Sequence, residues 1–188
     1  PALIGFTATP SRTDSIGLEA VFDEIAYSRT IEEMMRAGWL CKIIGKRVST
    51  LASLSEVKIS HGDFQEGQLS KAVNTPERNE LAVKSYLALA SGRQALCFCV
   101  DVQHTQDLCR AFQESGVAAE YVVGATDKDL RHGIIDQYRQ GSVSVLCNCM
   151  VLTEGFDAPE TACIIMARPT KSSLLYTQML GRGTRIAE

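Results

Sequence analysis

Three observations predict an α/β fold for this 188-residue chain, a parallel sheet with helices on both faces. From Pro76 onward, short apolar runs alternate with longer helix-like segments, the order that joins parallel strands through crossover helices. The apolar runs, Ala95 to Val100 among them, are nearly continuous, as strands covered on both faces are. The distinctive polar and glycine residues fall directly after these runs, where such sheets place ligands.

The elements follow in order along the chain. Leu3-Ile4-Gly5-Phe6 reads as the end of a buried strand, followed by Thr7-Ala8-Thr9-Pro10. Ser11 to Gly17 is polar and turn-like, and Leu18 to Ile25 is a short mixed run. Thr30 to Ala37 reads as a helix: Thr30 can cap it, Glu33 completes a capping box and Gly38 ends it. Trp39, expected to anchor the Met34/Met35 region, leads with Leu40 into a β-like stretch from Cys41 to Val48. Residues 49 to 75 carry five serines, together with Gly62, Gly67 and His61, and predict a surface connection with a little helix. Asp63-Phe64 and Leu69 are isolated cues there. A helix over about 77–90 has Pro76 near its first turn and Gly92 past its end. Strands are then expected over Ala95 to Val100, Ala119 to Val123, Val143 to Cys149 and Ala162 to Ala167. The helices between and after them run from Thr105 to Gln113, Asp127 to Tyr138 and Ser172 to Leu180. After the four strands stand Asp101, Gly124 to Thr126, Thr153 to Asp157, and Arg168 to Thr170.

Composition narrows the function classes. With 45% hydrophobic and 22% charged residues the chain has ordinary globular proportions. No apolar run approaches the roughly 20 residues of a membrane helix, so no membrane partner is expected. The start lacks both a basic signal-peptide region and an initiator Met, and it opens inside a strand-like run, which predicts an excised fragment. Net charge is -3 and the pI is near 5.7, where a dedicated electrostatic nucleic-acid binder is usually basic. Tight non-specific binding is therefore not expected, while contacts through backbone amides and hydroxyls stay open.

Seven cysteines are present. Cys97 and Cys99 flank Phe98, and Cys147 and Cys149 flank Asn148. In strands each pair faces one side. They read as small core residues, with a four-thiol site across neighbouring strands as the alternative. Without a secretory signal, a reducing intracellular compartment is expected, cytoplasmic first, with nucleus or organelle open. His61, His104 and His132 show no metal-ligand spacing. His104 and His132 fall near helix starts and are expected to be exposed or capping.

The chemistry concentrates at the C-terminal end. Gln178, Gly181, Arg182, Gly183 and Arg185 read Gln-x-x-Gly-Arg-Gly-x-Arg. Paired arginines beside glycines suit charge neutralisation on a transferring phosphoryl group. Surface arginines favoured by the helix dipole are the plainer alternative. Upstream, Thr153-Glu154-Gly155-Phe156-Asp157 follows a strand-like run; Gly155 permits a tight turn and Asp157 can accept from a ribose hydroxyl.

This order of motifs resembles superfamily-2 helicases and translocases of the DEAD/DEAH type, and within them the branch with XPB-like helicases and type I/III restriction motor subunits. Thr7 to Pro10 resembles motif III, Leu96 to Asp101 motif IV, Val151 to Asp157 with Pro159 motif V, and Gln178 to Arg185 motif VI. The resemblance implies a P-loop NTPase-type, RecA-like parallel sheet. It implies two parts: residues 1–40 as the tail of a first RecA-like domain with its linker, and 41–188 as the second domain. It further implies that Arg182 and Arg185 reach the γ-phosphate of ATP held by domain 1, with Arg185 as the arginine finger. Gln178 would position that phosphate or its attacking water, and Gly155 and Asp157 would touch the nucleotide. Thr153, Gln103 and Thr126 would face a nucleic-acid backbone, DNA ahead of RNA. Thr7 and Thr9 would couple hydrolysis to domain movement. The chain has no G-x-x-x-x-G-K-[ST] loop and no Asp-Glu magnesium box. ATP and Mg are therefore expected on the missing domain 1, and this chain alone is expected to be inactive. Two other readings stand beside this one: a non-catalytic nucleic-acid-binding or scaffold domain that kept the motor fold, and an unrelated flavodoxin-like binding domain, which gives the paired arginines no role.

Overall fold

A computed structural model describes residues 3–7, 21–50, 53–152 and 156–186. Its centre is a parallel sheet of β3 (Ala95–Phe98), β4 (Ala119–Val122), β5 (Val145–Asn148) and β6 (Cys163–Met166), in the order β4-β5-β3-β6. β3 pairs with both β5 and β6, and Cys97 lies opposite Cys147 on one side and Ile165 on the other.

Alternation along β3 builds two cores. Ala95, Cys97 and Cys99 face a cluster with Val83, Tyr86, Leu108 and Phe112, from α3 (Pro76–Ala90) and α4 (Val102–Glu114). Leu96 and Phe98 face the opposite cluster, with Ile134 and Tyr138 of α5 (Lys128–Arg139) and Leu175 and Met179 of α6 (Ser173–Gly181). Every residue of β3 and β5 is buried, which explains their continuous apolar runs.

Helix starts follow the expected chemistry. In α1 (Ile31–Arg36) Thr30 and Glu33 form a reciprocal capping box. Asp101 caps α4, its carboxylate accepting from the His104 N–H at 2.7 Å. Asp101→Ala is expected to lower stability by about 1 kcal/mol, the usual cost of a lost N-cap, read as a lower midpoint in urea unfolding.

Four expectations are corrected. Leu3, Ile4 and Phe6 form no strand and are 66%, 75% and 95% exposed; none of the four described parallel strands lies beside them to complete a ladder. Cys41 to Val48 is not a strand: the Cys41 N–H donates to the Thr184 carbonyl at 2.9 Å, but the following residues do not continue a ladder. Trp39 is tied at its backbone, its N–H donating to the Met34 carbonyl, but the residue is 72% exposed rather than buried as an anchor. Residues 49 to 75 hold more structure than a surface connection. β1 (Ile59–Ser60) and β2 (Asp63–Phe64) form an antiparallel hairpin across His61 and Gly62, at φ 51° and 82°. Left-handed backbone at both central residues matches the twist of a two-residue hairpin loop. α2 (Glu66–Val73) follows, and its Leu69 and Val73 are fully buried against Val100.

Candidate nucleotide and nucleic-acid site

α6 carries the C-terminal motif. Ser172 caps it, the hydroxyl accepting from the Leu175 N–H at 3.2 Å. Leu175 and Met179 bury one face, while Gln178 and Arg182, four residues apart, share a half-buried face. The helix ends at Arg182, and the chain then packs tightly on β6. A Cβ at Gly183 would lie 2.6 Å from Ile164 Cγ1, so glycine there serves close packing on the sheet. Thr184 is buried and its hydroxyl donates to the Gly181 carbonyl at 3.0 Å.

Two motifs far apart in sequence meet here. The Arg182 guanidinium donates to the Phe156 carbonyl, and Arg185 forms an ion pair with Asp157. Arg139 of α5 donates to the Asp157 carbonyl at 2.8 Å. Arg185 and Asp157 are both well exposed, with side chains 40% and 65% accessible, so an incoming anion can exchange with the carboxylate. Gly155 and Thr153 lie outside the described residues, as does Thr9; Thr7 is described and exposed.

At the carboxyl ends of β3 and β5 lies a cleft of about 460 Å³, lined by Glu66, Val100, Asp101, Gln103, Cys149 and Met150 among others. Gln103 is exposed there, its amide donating to Asp107 at 2.9 Å. Met150 adopts a left-handed φ of 56°, uncommon for a side-chain-bearing residue and concentrated at functional turns. Thr126 sits in the neighbouring cleft between α4 and α5, and Val102 lines both. The Thr126 hydroxyl accepts from the Val123 N–H at 2.9 Å, which shapes the turn after β4. The structure therefore unites Arg182 and Arg185 with Asp157, and leaves Gln103 and Thr126 in adjacent clefts.

Two residues to which the sequence assigns a place but no role brace this region. Arg168, only 8% exposed, follows β6; its guanidinium reaches the Val100 carbonyl at 3.5 Å and the Asp63 carboxylate at 3.8 Å. Asp63, on the hairpin, also accepts from the Thr170 hydroxyl and the Lys171 N–H, both at 2.7 Å. Burial opposes its charge, but the Lys171 amide, Thr170 hydroxyl, Phe64 amide and Arg168 outweigh burial and hold it below the usual carboxylate value.

The histidine expectation is corrected at His104, which is buried, 2% exposed, with Nδ1 accepting from the Val100 N–H at 3.3 Å. Burial holds its pKa below the ordinary value, with Arg78 adding to this while Cys99, Asp101 and Asp107 oppose it. A histidine neutral in the folded state and protonated when unfolded costs stability as pH falls through its unfolded value of about 6.5. Stability is therefore expected to decline from pH 7 to 5, and His104→Asn to flatten that decline in urea titrations at each pH.

The thiols behave as core. Cys97, Cys99 and Cys147 are buried, with sulfurs all within 4.8 Å of one another. Cys109 of α4 is buried in the same cluster as Cys97, Cys99 and Cys147, whereas Cys149 is half-buried and lines the cleft. Hydrogen bonds from Cys109, Cys97 and Cys99, with burial, push the Cys147 thiol well up. Among the described residues this is the only grouping with metal-ligand geometry. Magnesium takes hard oxygen donors, so these thiols do not fit it.

Known proteins match this arrangement. Residues 77–187 match the family described as "Helicase conserved C-terminal domain", and the chain belongs to that family. Over 187 residues it is 42% identical to the "Putative ATP-dependent helicase IRC3" of Saccharomyces cerevisiae, covering 98% of this chain and 27% of that protein. It is 38% identical over 189 residues to the "Putative mitochondrial ATP-dependent helicase irc3" of Schizosaccharomyces pombe, covering 99% of this chain and 31% of that one. The solved fragment of an HsdR subunit of a type I restriction enzyme from Vibrio vulnificus YJ016 superposes with a TM-score of 0.54 at 21% identity, over 65% of this chain and 26% of that one. At that identity the likeness concerns the fold, which is RecA-like. The superfamily-2 resemblance read from the motifs is thus borne out. The chain spans 27% and 31% of the two fungal relatives. Among the described residues no helix is long and apolar enough to cross a membrane.

Proposed function

We propose that this chain is the second motor domain of an ATP-dependent nucleic-acid helicase or translocase, supplying arginines to a nucleotide site whose phosphate loop lies on another domain. The observation that carries this reading is the meeting of Arg182 and Arg185 with Phe156 and Asp157. A guanidinium pair held at the rim of a sheet by exchangeable partners is suited to swing onto a γ-phosphate and offset its charge. Arg185 is the finger, and Gln178, on the Arg182 face of α6, positions the phosphate or water. Asp157, released from Arg185, accepts from the ribose, and Gly155 lets the nucleotide approach.

ATP and Mg are assigned to domain 1, in keeping with the missing phosphate loop and magnesium box in this sequence. Residues 1–40 are its tail and linker, with Thr7 and Thr9 coupling hydrolysis to closure, and 41–188 form domain 2. Exposed Val21, Ile25, Tyr27 and Trp39 support a covering domain there. The nucleic-acid track runs over Thr153, Gln103 and Thr126, with DNA ahead of RNA. The cleft beside Gln103 also holds Glu66 and Asp101, so phosphate contacts there come from amides and hydroxyls rather than cations. The compartment is intracellular and reducing; one relative is described as mitochondrial.

ATP turnover by the full-length protein, with single-stranded DNA, duplex DNA or RNA, tests the reading. Stimulation by at least one nucleic acid, and no turnover by residues 1–188 alone, is expected. Steady turnover by the isolated chain would contradict the division of the site.

A further inference from the structure

We infer that the hairpin–α2 segment, residues 59–73, links the cleft at the ends of β3 and β5 to the arginines beyond α6, with Asp63 as the positioning residue of that link. The inference rests on the reading of the cleft as nucleic-acid track and of Arg185 as finger.

The segment is anchored at β2 and along α2. Glu66, the first residue of α2, lines the cleft together with Val100 and Gln103. Leu69 and Val73 pack beneath it on Val100. Three residues before Glu66, Asp63 grips the loop that leads into α6. From there the bonds run on without a gap. The Thr170 hydroxyl, donating to Asp63, also accepts from the Ser172 N–H at 3.0 Å, and Ser172 caps α6. Arg168 closes the circuit, reaching both Asp63 and the Val100 carbonyl at the cleft. α6 is nine residues long, roughly 13 Å at 1.5 Å per residue, so a tilt at its capped start displaces Arg182 and Arg185 at its far end. A shift of the cleft wall on binding is thereby carried to the residues that complete the phosphate site. Arg168 adds a reason for the arrangement to hold together: a buried guanidinium without Asp63 is an uncompensated charge.

Asp63→Asn in the full-length protein separates positioning from mere support. The variant keeps the side-chain shape and loses the charge. The ratio of nucleic-acid-stimulated to unstimulated kcat is expected to fall on the order of tenfold to a hundredfold, the scale of an ångström-sized misplacement. ATP KM and nucleic-acid Kd are expected to stay within about twofold of wild type. Hydrogen exchange supplies a readout independent of turnover: nucleic acid slows amides 171–186 in wild type and leaves them unchanged in the variant. Should Asp63→Asn fail to fold, Thr170→Val, which removes one hydroxyl, is read in the same way. A folded variant with the wild-type stimulation ratio overturns the link while leaving the motor reading intact. A wild-type protein that no nucleic acid stimulates overturns both.

Discussion

Replacing Arg185 with alanine in the full-length protein is expected to abolish nucleic-acid-stimulated ATP hydrolysis while leaving ATP binding in place. An arginine finger acts on charge that develops as the γ-phosphoryl transfers, and its removal costs on the order of 10³–10⁵ in kcat. Ground-state binding stays with the domain that carries the phosphate loop. Unfolding is not a competing explanation: the Arg185–Asp157 pair is exposed, and such pairs contribute little to stability. Arg185→Lys is expected to recover only a small part of the activity, because an ammonium lacks the planar fork that grips a phosphate. Turnover and equilibrium binding of a fluorescent ATP analogue, measured on the same preparations, separate the two effects. Unchanged turnover in Arg185→Ala would remove the finger assignment.

The second large effect concerns stability. Phe112 is fully buried in the cluster between α3, α4 and the sheet, with its ring edge-on to Tyr86 at 5.6 Å and 85°. Leu108 and Cys109 of the same helix, and Cys147 of β5, surround it. Phe112→Ala is expected to cost about 3–5 kcal/mol, since the lost transfer energy is joined by the cavity left behind. That is a large share of the roughly 5–15 kcal/mol that holds a domain together. Urea unfolding with an unchanged slope and a lowered midpoint is the expected record. A cost below about 1 kcal/mol would mean that the core closes over the gap, contrary to the close packing of α4 on β4 and β5.

From Pro76 onward the fold was legible because local signals agree with the tertiary result. Pro76 opens α3, Asp101, Asp127 and Ser172 cap the following helices, and the apolar runs became the four parallel strands. The arginines and Asp157 were legible because their residue types and spacing are informative without knowledge of packing. Features made by long-range contact stayed hidden. Leu69 and Val73 offer two apolar residues in a polar stretch, and their core with Val57 is completed by Val100 from across the fold. The hairpin strands are two residues each, and His61-Gly62 is a weaker turn signal than Asn-Gly. Asp63 draws its meaning from Arg168, Thr170 and Lys171, more than a hundred positions away. His104 did carry a signal, since its spacing of four from Leu108, and of four more to Phe112, places it on the buried face of α4. Its place in the first turn masked that pattern. For Leu3 to Phe6 the reverse holds: an apolar run predicts a strand, and no described strand pairs with it.

The proposed role of these arginines is to complete a phosphate site carried on another domain. A structure of the full-length protein with a non-hydrolysable ATP analogue and a bound oligonucleotide tests it most directly, by the distance from the Arg185 guanidinium to the γ-phosphate. Arg185 is expected to leave Asp157 and donate to a γ-phosphate oxygen at about 2.7–3.0 Å. A closed, nucleotide-bound structure in which Arg185 remains on Asp157 and Arg182 does not approach the phosphate either would contradict it.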